Sequence, residues 1–205
     1  MELLKLAGIL VVIIGFVLGI VLAIMRMTDI RPLRFLAYGK NGRIRNSKTL
    51  IAISKFNPVS FLATAYVEIL RSTPVIVQIM IIYHGVFGKL IDLPNFTLFG
   101  FLKFNRFLPG VVALGMNSGA YLCEIIRSGI QSIDRGQTEA ARSLGLSSSQ
   151  TMMRIILPQA FKNVLPALAN EFIVLLKETS ICGYIGLMDL TKGGDIIRSR
   201  TYEAF

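Results

Sequence analysis

The run Leu6–Met25 holds twenty residues and no charge, and Arg26 closes it. At ~1.5 Å of rise per helical residue, such a run covers the ~30 Å hydrocarbon core of a bilayer. It reads as a membrane-spanning helix. A secretory signal would have a shorter apolar region followed by a small-x-small cleavage site, and neither is present. The rest of the chain keeps the same character, with 53% hydrophobic residues and a net charge of +10 over 205 residues. A soluble nucleic-acid binder would share the positive charge but has no use for long charge-free runs, so membrane lipid is the expected environment and nucleic acid is excluded as a partner.

Three further spans are shorter or more broken. Pro74–Gly88, extended backwards through Phe61–Leu70, makes the second, interrupted by Glu68 and Arg71. Phe107–Cys123 makes the third, and Val164–Leu176 the fourth, with Asn170 and Glu171 inside it. Ile181–Met188 is too short to cross unaided and is expected to cap the fourth span or dip into the interface. Cys123 and Cys182 lie in or beside apolar segments without CxxC spacing and read as small core residues. The one histidine, His84, has no second ligand type near it in sequence, so a packed or pore-facing role fits better than a metal site. No metal is expected.

Charge orients the bundle. Between Arg26 and Arg71 stand nine basic residues against two acidic ones, Asp29 and Glu68, and such an excess marks a cytoplasmic segment. The second and third spans are separated by few cations, which suits the outer side. Three crossings then return 125–163 to the cytoplasm. The N-terminus is therefore expected outside, in a multi-pass membrane protein.

The cytoplasmic stretch has internal order. Thr138 can cap a short helix whose first residue, Glu139, suits the positive end of the helix dipole, and Gly145 can end it in a left-handed turn. Ser147 and Gln150 fit a capping box that launches a second helix, whose Met152, Met153, Ile155, Ile156 and Leu157 are too apolar for a free surface. Pro158 and Pro166 are expected to interrupt that helix before the fourth span. Such a knuckle needs cover, either from its own bundle or from a partner with a groove.

The run Glu139-Ala140-Ala141, then Gly145, then nine residues, then Ile155, Leu157 and Pro158 resembles the EAA motif, EAA-x3-G-x9-I-x-LP, of importer-type ABC transporter permeases, matching at every specified position. "AYVEILRSTPVIVQ", "SGAYLCEIIRSGIQSIDRGQTEAARSLGLS" and "NEFIVLLKETSI" are similar to the second helix, the third helix with its coupling region, and the fourth helix of permeases for polar amino acids. The resemblance covers most of residues 1–38 and 61–205. It implies an all-α membrane protein, a bundle of the type I importer kind forming a single permease domain over 1–205, with a cytoplasmic coupling region at 139–158. Within it, residues 139–146 would form the coupling helix, with Glu139 as charged contact, Ala140 and Ala141 permitting close approach, Gly145 and Leu146 in the turn, and Ile155, Leu157 and Pro158 behind. Two departures stand out. Residues 38–59 form a basic insertion, and Phe205 falls where such permeases begin another spanning helix.

The implied partners are an ABC ATPase subunit, a second permease, identical or homologous, and an extracytoplasmic substrate-binding protein. The chain has no GxxxxGK[ST] phosphate loop; its nearest element, Gly39-Lys40-Asn41-Gly42, lacks the spacing. ATP would be used by the partner, and no cofactor by this chain.

Polar residues cost ~2.5–3.5 kcal/mol each at mid-membrane by insertion scales, so their placement is informative. Asn117, Tyr121, Glu124 and Ser128 share one face of the third span; Asn170 and Glu171 lie in the fourth; Glu68, Arg71 and Gln78 share a face of the second. Turned inward, these stripes would line a path for a zwitterionic or cationic cargo such as glutamine, arginine or histidine. Asn117, Tyr121 and Glu171 lie deepest. Glu68 with Arg71, and Glu124 with Arg127 or Arg135, also fit plain ion pairs at the membrane edge.

Two other classes compete. A membrane enzyme would need a catalytic constellation, and one histidine with no intramembrane aspartate leaves little to build one from. An ATP-independent channel or secondary transporter would pack the knuckle on its own bundle. Cargo uptake that survives ATP depletion would select that reading; uptake that stops with ATP would remove it.

Overall fold

A computed structural model describes residues 2–28, 56–98, 102–188 and 190–202. Most of the basic insertion expected at 38–59 lies outside them. Helix α1, Glu2–Met27, is the long rod that its charge-free run predicts. Helix α2, Pro58–Ser72, starts where Asn57 Oδ1 accepts the Ser60 amide at 3.1 Å and Pro58 occupies the first turn. It stops at Thr73 (φ −105°, ψ 137°), because the residue before a proline is pushed out of the helical region. Helix α3, Val75–Met80, follows and widens into a π-helix over Ile81–Leu90.

The arms on either side of Pro74 meet at 107°, so the second span is sharply bent rather than one rod. Gln78, expected on the stripe of Glu68 and Arg71, folds back over the corner. Its Nε2 donates to the carbonyls of Leu70 (2.7 Å) and Thr73 (2.9 Å), which the broken helix leaves without amide partners. Gln78 is thus buried as a clamp.

A two-strand hairpin, β1 (Thr97–Leu98) with β2 (Leu102–Lys103), leads into α4, Phe104–Gln131. Helix α5, Arg135–Ser143, precedes α6, Ser148–Thr151, which passes through a π turn at Met152–Ile156 into α7, Leu157–Glu178. Neither Pro158 nor Pro166 breaks this path, contrary to expectation. Pro158 sits in the first turn of α7, directly after the wider π turn, where its ring meets less crowding; Pro166 is held inside α7. A 3-10 turn at Thr179–Ile185 ends in left-handed Gly186 (φ 78°), and Arg106 Nη1 donates to the Gly186 carbonyl at 2.9 Å, fastening the turn to α4. Helix α8, Leu190–Thr201, closes the described chain.

Helices α1 and α4 pack through glycines. A Cβ at Gly15 would stand 2.7 Å from Ser118 Oγ, at Gly19 2.6 Å from Leu122 Cβ, at Gly115 2.8 Å from Ile14 Cγ2 and at Gly119 2.8 Å from Leu18 Cδ2. Each glycine therefore lets a backbone approach that a side chain would block. The spacing is small-xxx-small on both helices, a means of association available where lipid removes the hydrophobic drive. Residues later in α1 meet residues later in α4, so the two rods run parallel. Helix α7 runs antiparallel to α4, since Gly129 meets Val164 while Gly110 meets Cys182.

Two apolar clusters fill the bundle. One joins Val11, Ile79, Val111, Leu114, Leu175 and Cys182; the other joins Leu22, Ala23, Ala63, Val67, Ala120 and Cys123. Both cysteines are core residues, as expected. On the outside Ile13, Val17, Val21 and Ile24 leave a bare apolar stripe along α1. Among the described helices α1 is long and apolar enough to span by itself, and the bent α2–α3 pair passes when its arms are taken together.

Replacing Gly19 with valine should lower the melting temperature of the detergent-solubilised protein by the equivalent of about 1–3 kcal/mol, because the new atoms meet Leu122 Cβ and backbone rather than a movable side-chain tip. Gly193→Ala, with nothing within 4 Å, should not lower it.

Candidate functional site

At the end of the bundle reached by Met27 and Gln131, the charged residues converge. Arg26 Nη1 of α1 donates to Glu124 Oε2 of α4 at 2.5 Å, and Arg127 on the next turn of α4 holds both oxygens of the same carboxylate. Arg71 of α2 approaches Glu124 Oε2 at 3.9 Å, and Arg26 also reaches Glu68 at 3.7 Å. Three helices are thereby joined through one acid. Glu68 pairs across to α1 rather than with Arg71, because its own helix points Arg71 toward α4. Glu124 takes Arg127 as one of the two partners that the sequence offered. Ser60 Oγ donates to the Arg26 carbonyl (3.0 Å), Asn57 Nδ2 to the Thr28 carbonyl (2.5 Å) and Tyr66 Oη to the Met116 carbonyl (2.9 Å), seating α2 on its neighbours.

The stripe Asn117, Tyr121, Glu124 and Ser128 lies on the side of α4 nearly opposite the glycine seam, at 100° per residue. It faces the groove between α2 and α7. Asn117 is buried, and Tyr121 is half-buried with the Arg71 guanidinium 5.2 Å above its ring. Glu171 is only 8% exposed and shares its face of α7 with Ala160, Val164 and Leu175, the residues that pack toward α4. Asn170, one step round, points outward and is exposed. Below, Ser128, Ser132 and Asn163 line an open cavity of about 420 Å³, with Asn163 Nδ2 donating to Ser132 Oγ at 2.9 Å. His84 is exposed on the π-helix, edge-on to Tyr83.

The knuckle sits beyond this same end. Its first helix begins earlier than expected. Asp134, not Thr138, is the cap, its Oδ1 accepting the Gly136 amide at 2.6 Å, so Glu139 stands mid-helix on an exposed surface and its dipole argument lapses. Residues 139–146 are then the second half of α5 and its terminating turn. Gly145 does adopt φ 84°, with its amide bonded to the Arg142 carbonyl (3.0 Å) and that of Leu146 to the Ala141 carbonyl (3.2 Å). Ser147 and Gln150 form both halves of the capping box, at 3.2 and 2.8 Å.

One side of the knuckle is covered by its own chain, for Ala141, Thr151 and Ile156 are buried and Ile155 and Leu157 half-buried. The other is bare. Leu144 is 84% and Met153 63% exposed, with Glu139, Ala140 and Pro158 beside them in sequence also outside. Ala141 thus serves packing within the chain rather than contact beyond it.

Reasoning from residue order placed Arg71 on the polar face of the second span, but missed Arg26 as a partner of Glu124 and missed the glycine seam. The paired spacings Gly15-x3-Gly19 and Gly115-x3-Gly119 were the available signal.

A helical bundle with a bent second span, a polar inner groove and a capped helical corner at one end defines an integral membrane transport component. The family model for the "Binding-protein-dependent transport system inner membrane component" matches residues 49–203, and the chain belongs to that family. It is 45% identical over 156 residues to the arginine transport system permease protein ArtQ of Bacillus subtilis, a match covering 76% of this chain and 64% of the relative. With the "Probable glutamine ABC transporter permease protein GlnM" of the same organism it shares 37% over 191 residues, 93% of this chain and 71% of that one. Less than two thirds of the arginine permease is therefore spanned. Among solved structures, "an amino acid ABC transporter with histidines" superposes with a TM-score of 0.76 at 39% identity, covering all of this chain and 78% of the other. An inward-facing methionine ABC transporter, MetNI, shares the fold at a TM-score of 0.61 and 18% identity.

Glu124→Gln should destabilise the bundle by on the order of 2 kcal/mol, because it leaves three arginines facing one another around a partly buried point. Glu68→Gln, at a side chain 69% exposed, should change stability by less than about 0.5 kcal/mol in the same denaturation series.

Proposed function

We propose that this chain is the membrane-spanning permease of an ATP-driven importer of polar amino acids, working with a second permease, an ABC ATPase subunit and an extracytoplasmic binding protein. Its N-terminus stands outside, so that the end carrying Arg26, Arg127 and α5 faces the cytoplasm. The observation that carries this reading is the two-sided knuckle. Its inner side is packed against Met152–Ile156 and its ends are fixed by Asp134, Gly145 and the Ser147 capping box, while Glu139, Ala140, Leu144 and Met153 remain uncovered.

A short helix so held moves as a unit. Closure of two ATPase domains on nucleotide would push α5, and Ser132 to Asp134 connect it to α4 with almost no slack. A shift of α4 moves Asn117, Tyr121, Glu124 and Ser128 together against Arg71 of the bent span and Glu171 of α7, which would alternate access to the groove. The chemistry stays in the partner, where ATP is hydrolysed; this chain forms and breaks no covalent bond.

Support for amino-acid cargo comes from the mixed polarity of the groove and from the cargo that the relatives' names state. The inner membrane is the setting the family description supplies. Purification with the ATPase tests the docking role directly. Glu139→Lys, at an exposed position that no fold contact needs, should abolish co-purification or amino-acid-stimulated ATP turnover. Retention of both at wild-type levels would refute docking through α5.

A further inference from the structure

The knuckle hangs between two helices, α4 and α7, whose feet are fastened to each other. Gly129 of α4 is buried against α7, where a Cβ would collide with Val164 Cγ2 and stand 3.4 Å from the Val164 Cβ and 3.5 Å from the Ala160 carbonyl. Ala160 and Val164 are themselves buried. Ser132, just past the end of α4, donates its hydroxyl proton to the Gly129 carbonyl at 2.8 Å and accepts from Asn163 Nδ2 of α7 at 2.9 Å. A hydroxyl has a single proton, so once Gly129 takes it the partner across the gap must be a donor, which the Asn163 amide is. The Gly129 carbonyl calls for that proton because the helix is ending there: the Ile133 amide turns to Ile130 instead. The bond therefore ties the terminal turn of α4 to the foot of α7.

Its position gives the fastening a mechanical role. Ser132 is followed by Ile133 and by Asp134, the cap of α5, so any displacement of α5 enters α4 at this joint. Tyr121 stands about 12 Å farther along α4 at 1.5 Å of rise per residue. Beside the Gly129 contact, Ser128, Ser132 and Asn163 border the open cavity of about 420 Å³, which leaves α4 room to turn where a filled interior would resist it. At its outer end α4 is held to the 3-10 turn after α7, through Arg106 and Gly186.

Resting on the reading of α5 as the ATPase contact, we propose that Gly129 and Val164 are the pivot on which α4 tilts, and that Asn163, acting through Ser132, is the positioning residue that keeps this pivot closed. With the feet pinned, a push on α5 turns α4 about Gly129, and the displacement grows along the helix toward Tyr121 and Asn117. With the pin removed, the same push spreads the feet of α4 and α7 and is spent before it reaches the groove. ATP is then consumed with less cargo moved. Asparagine at 163 is required as a donor rather than for its size, because Ser132 has no second proton to give.

The test uses the permease assembled with its ATPase and binding protein in proteoliposomes, with uptake of labelled L-arginine, L-glutamine and L-histidine measured beside ATP hydrolysis. The quantity read is the number of molecules imported per ATP. Asn163→Ala should lower it about threefold while ATP turnover continues. Asn163→Asp, equal in size but no donor, should lower it as far, and Ser132→Thr, which keeps the hydroxyl, should leave it in place. Asn163→Ala combined with Ser132→Ala should be no worse than either alone, since both remove the same bond. A cross-link separates the pivot from general stability. Gly129→Cys with Val164→Cys sets two Cβ atoms 3.4 Å apart, close to the span of a disulfide. Once oxidised, this pair should import at the wild-type ratio and should return that ratio to Asn163→Ala. A pair that does not oxidise, an oxidised pair that stops import, or an Asn163→Ala ratio equal to wild type would overturn the pivot and leave the import reading standing. A wild-type complex that imports none of the three amino acids would overturn the import reading and the pivot together.

Discussion

The close approach of α1 and α4 governs the rest of the bundle. Inside a bilayer there is little hydrophobic gain in bringing two apolar helices together, so dispersion at short range must hold them, and only glycine lets backbones come near enough. Gly15, Gly19, Gly115 and Gly119 supply that approach from both sides. Once the two rods lie parallel in that register, Arg26 arrives at Glu124, and Leu22 and Ala23 complete the pocket that receives Ala63 and Val67 of α2. The placement of α2, and with it Arg71, follows from a seam of residues that carry no side chain.

The polar residues then divide by depth. Near the Met27 end, charges are spent on one another, and Glu124 serves as the common anchor of three helices. Higher up, Asn117, Tyr121 and Glu171 face a groove with fewer internal partners. Helix α4 connects the two layers and leads within four residues to α5, so the groove and the exposed corner share one rod.

Local chemistry was readable residue by residue. The capping box of Ser147 and Gln150, the left-handed Gly145, the core placement of both cysteines and the α1 span each depend on neighbours a few residues away or on simple hydropathy, and each stands as read. Where a rival residue, a π turn or a bend stood close by, the reading was less secure. Thr138 was a sound cap by type, yet Asp134 came first and captured the helix start. Pro158 and Pro166 were sound breakers by type, yet a π turn and the packing of α7 absorb them. Gln78 matched a stripe drawn on a straight helix, and the 107° bend at Pro74 turned it into a clamp instead.

By itself the sequence determined that this chain lives in a membrane, where its first span lies, and which corner is capped, because those properties follow from short-range sterics, hydrogen bonding and the thickness of the hydrocarbon layer. Only the tertiary structure decided which arginine meets which glutamate, which polar residues face inward and which alanine is covered. Those outcomes turn on the rotation and register of one helix against another, and a slide of a single residue turns every side chain by 100°, a quantity that no local pattern encodes.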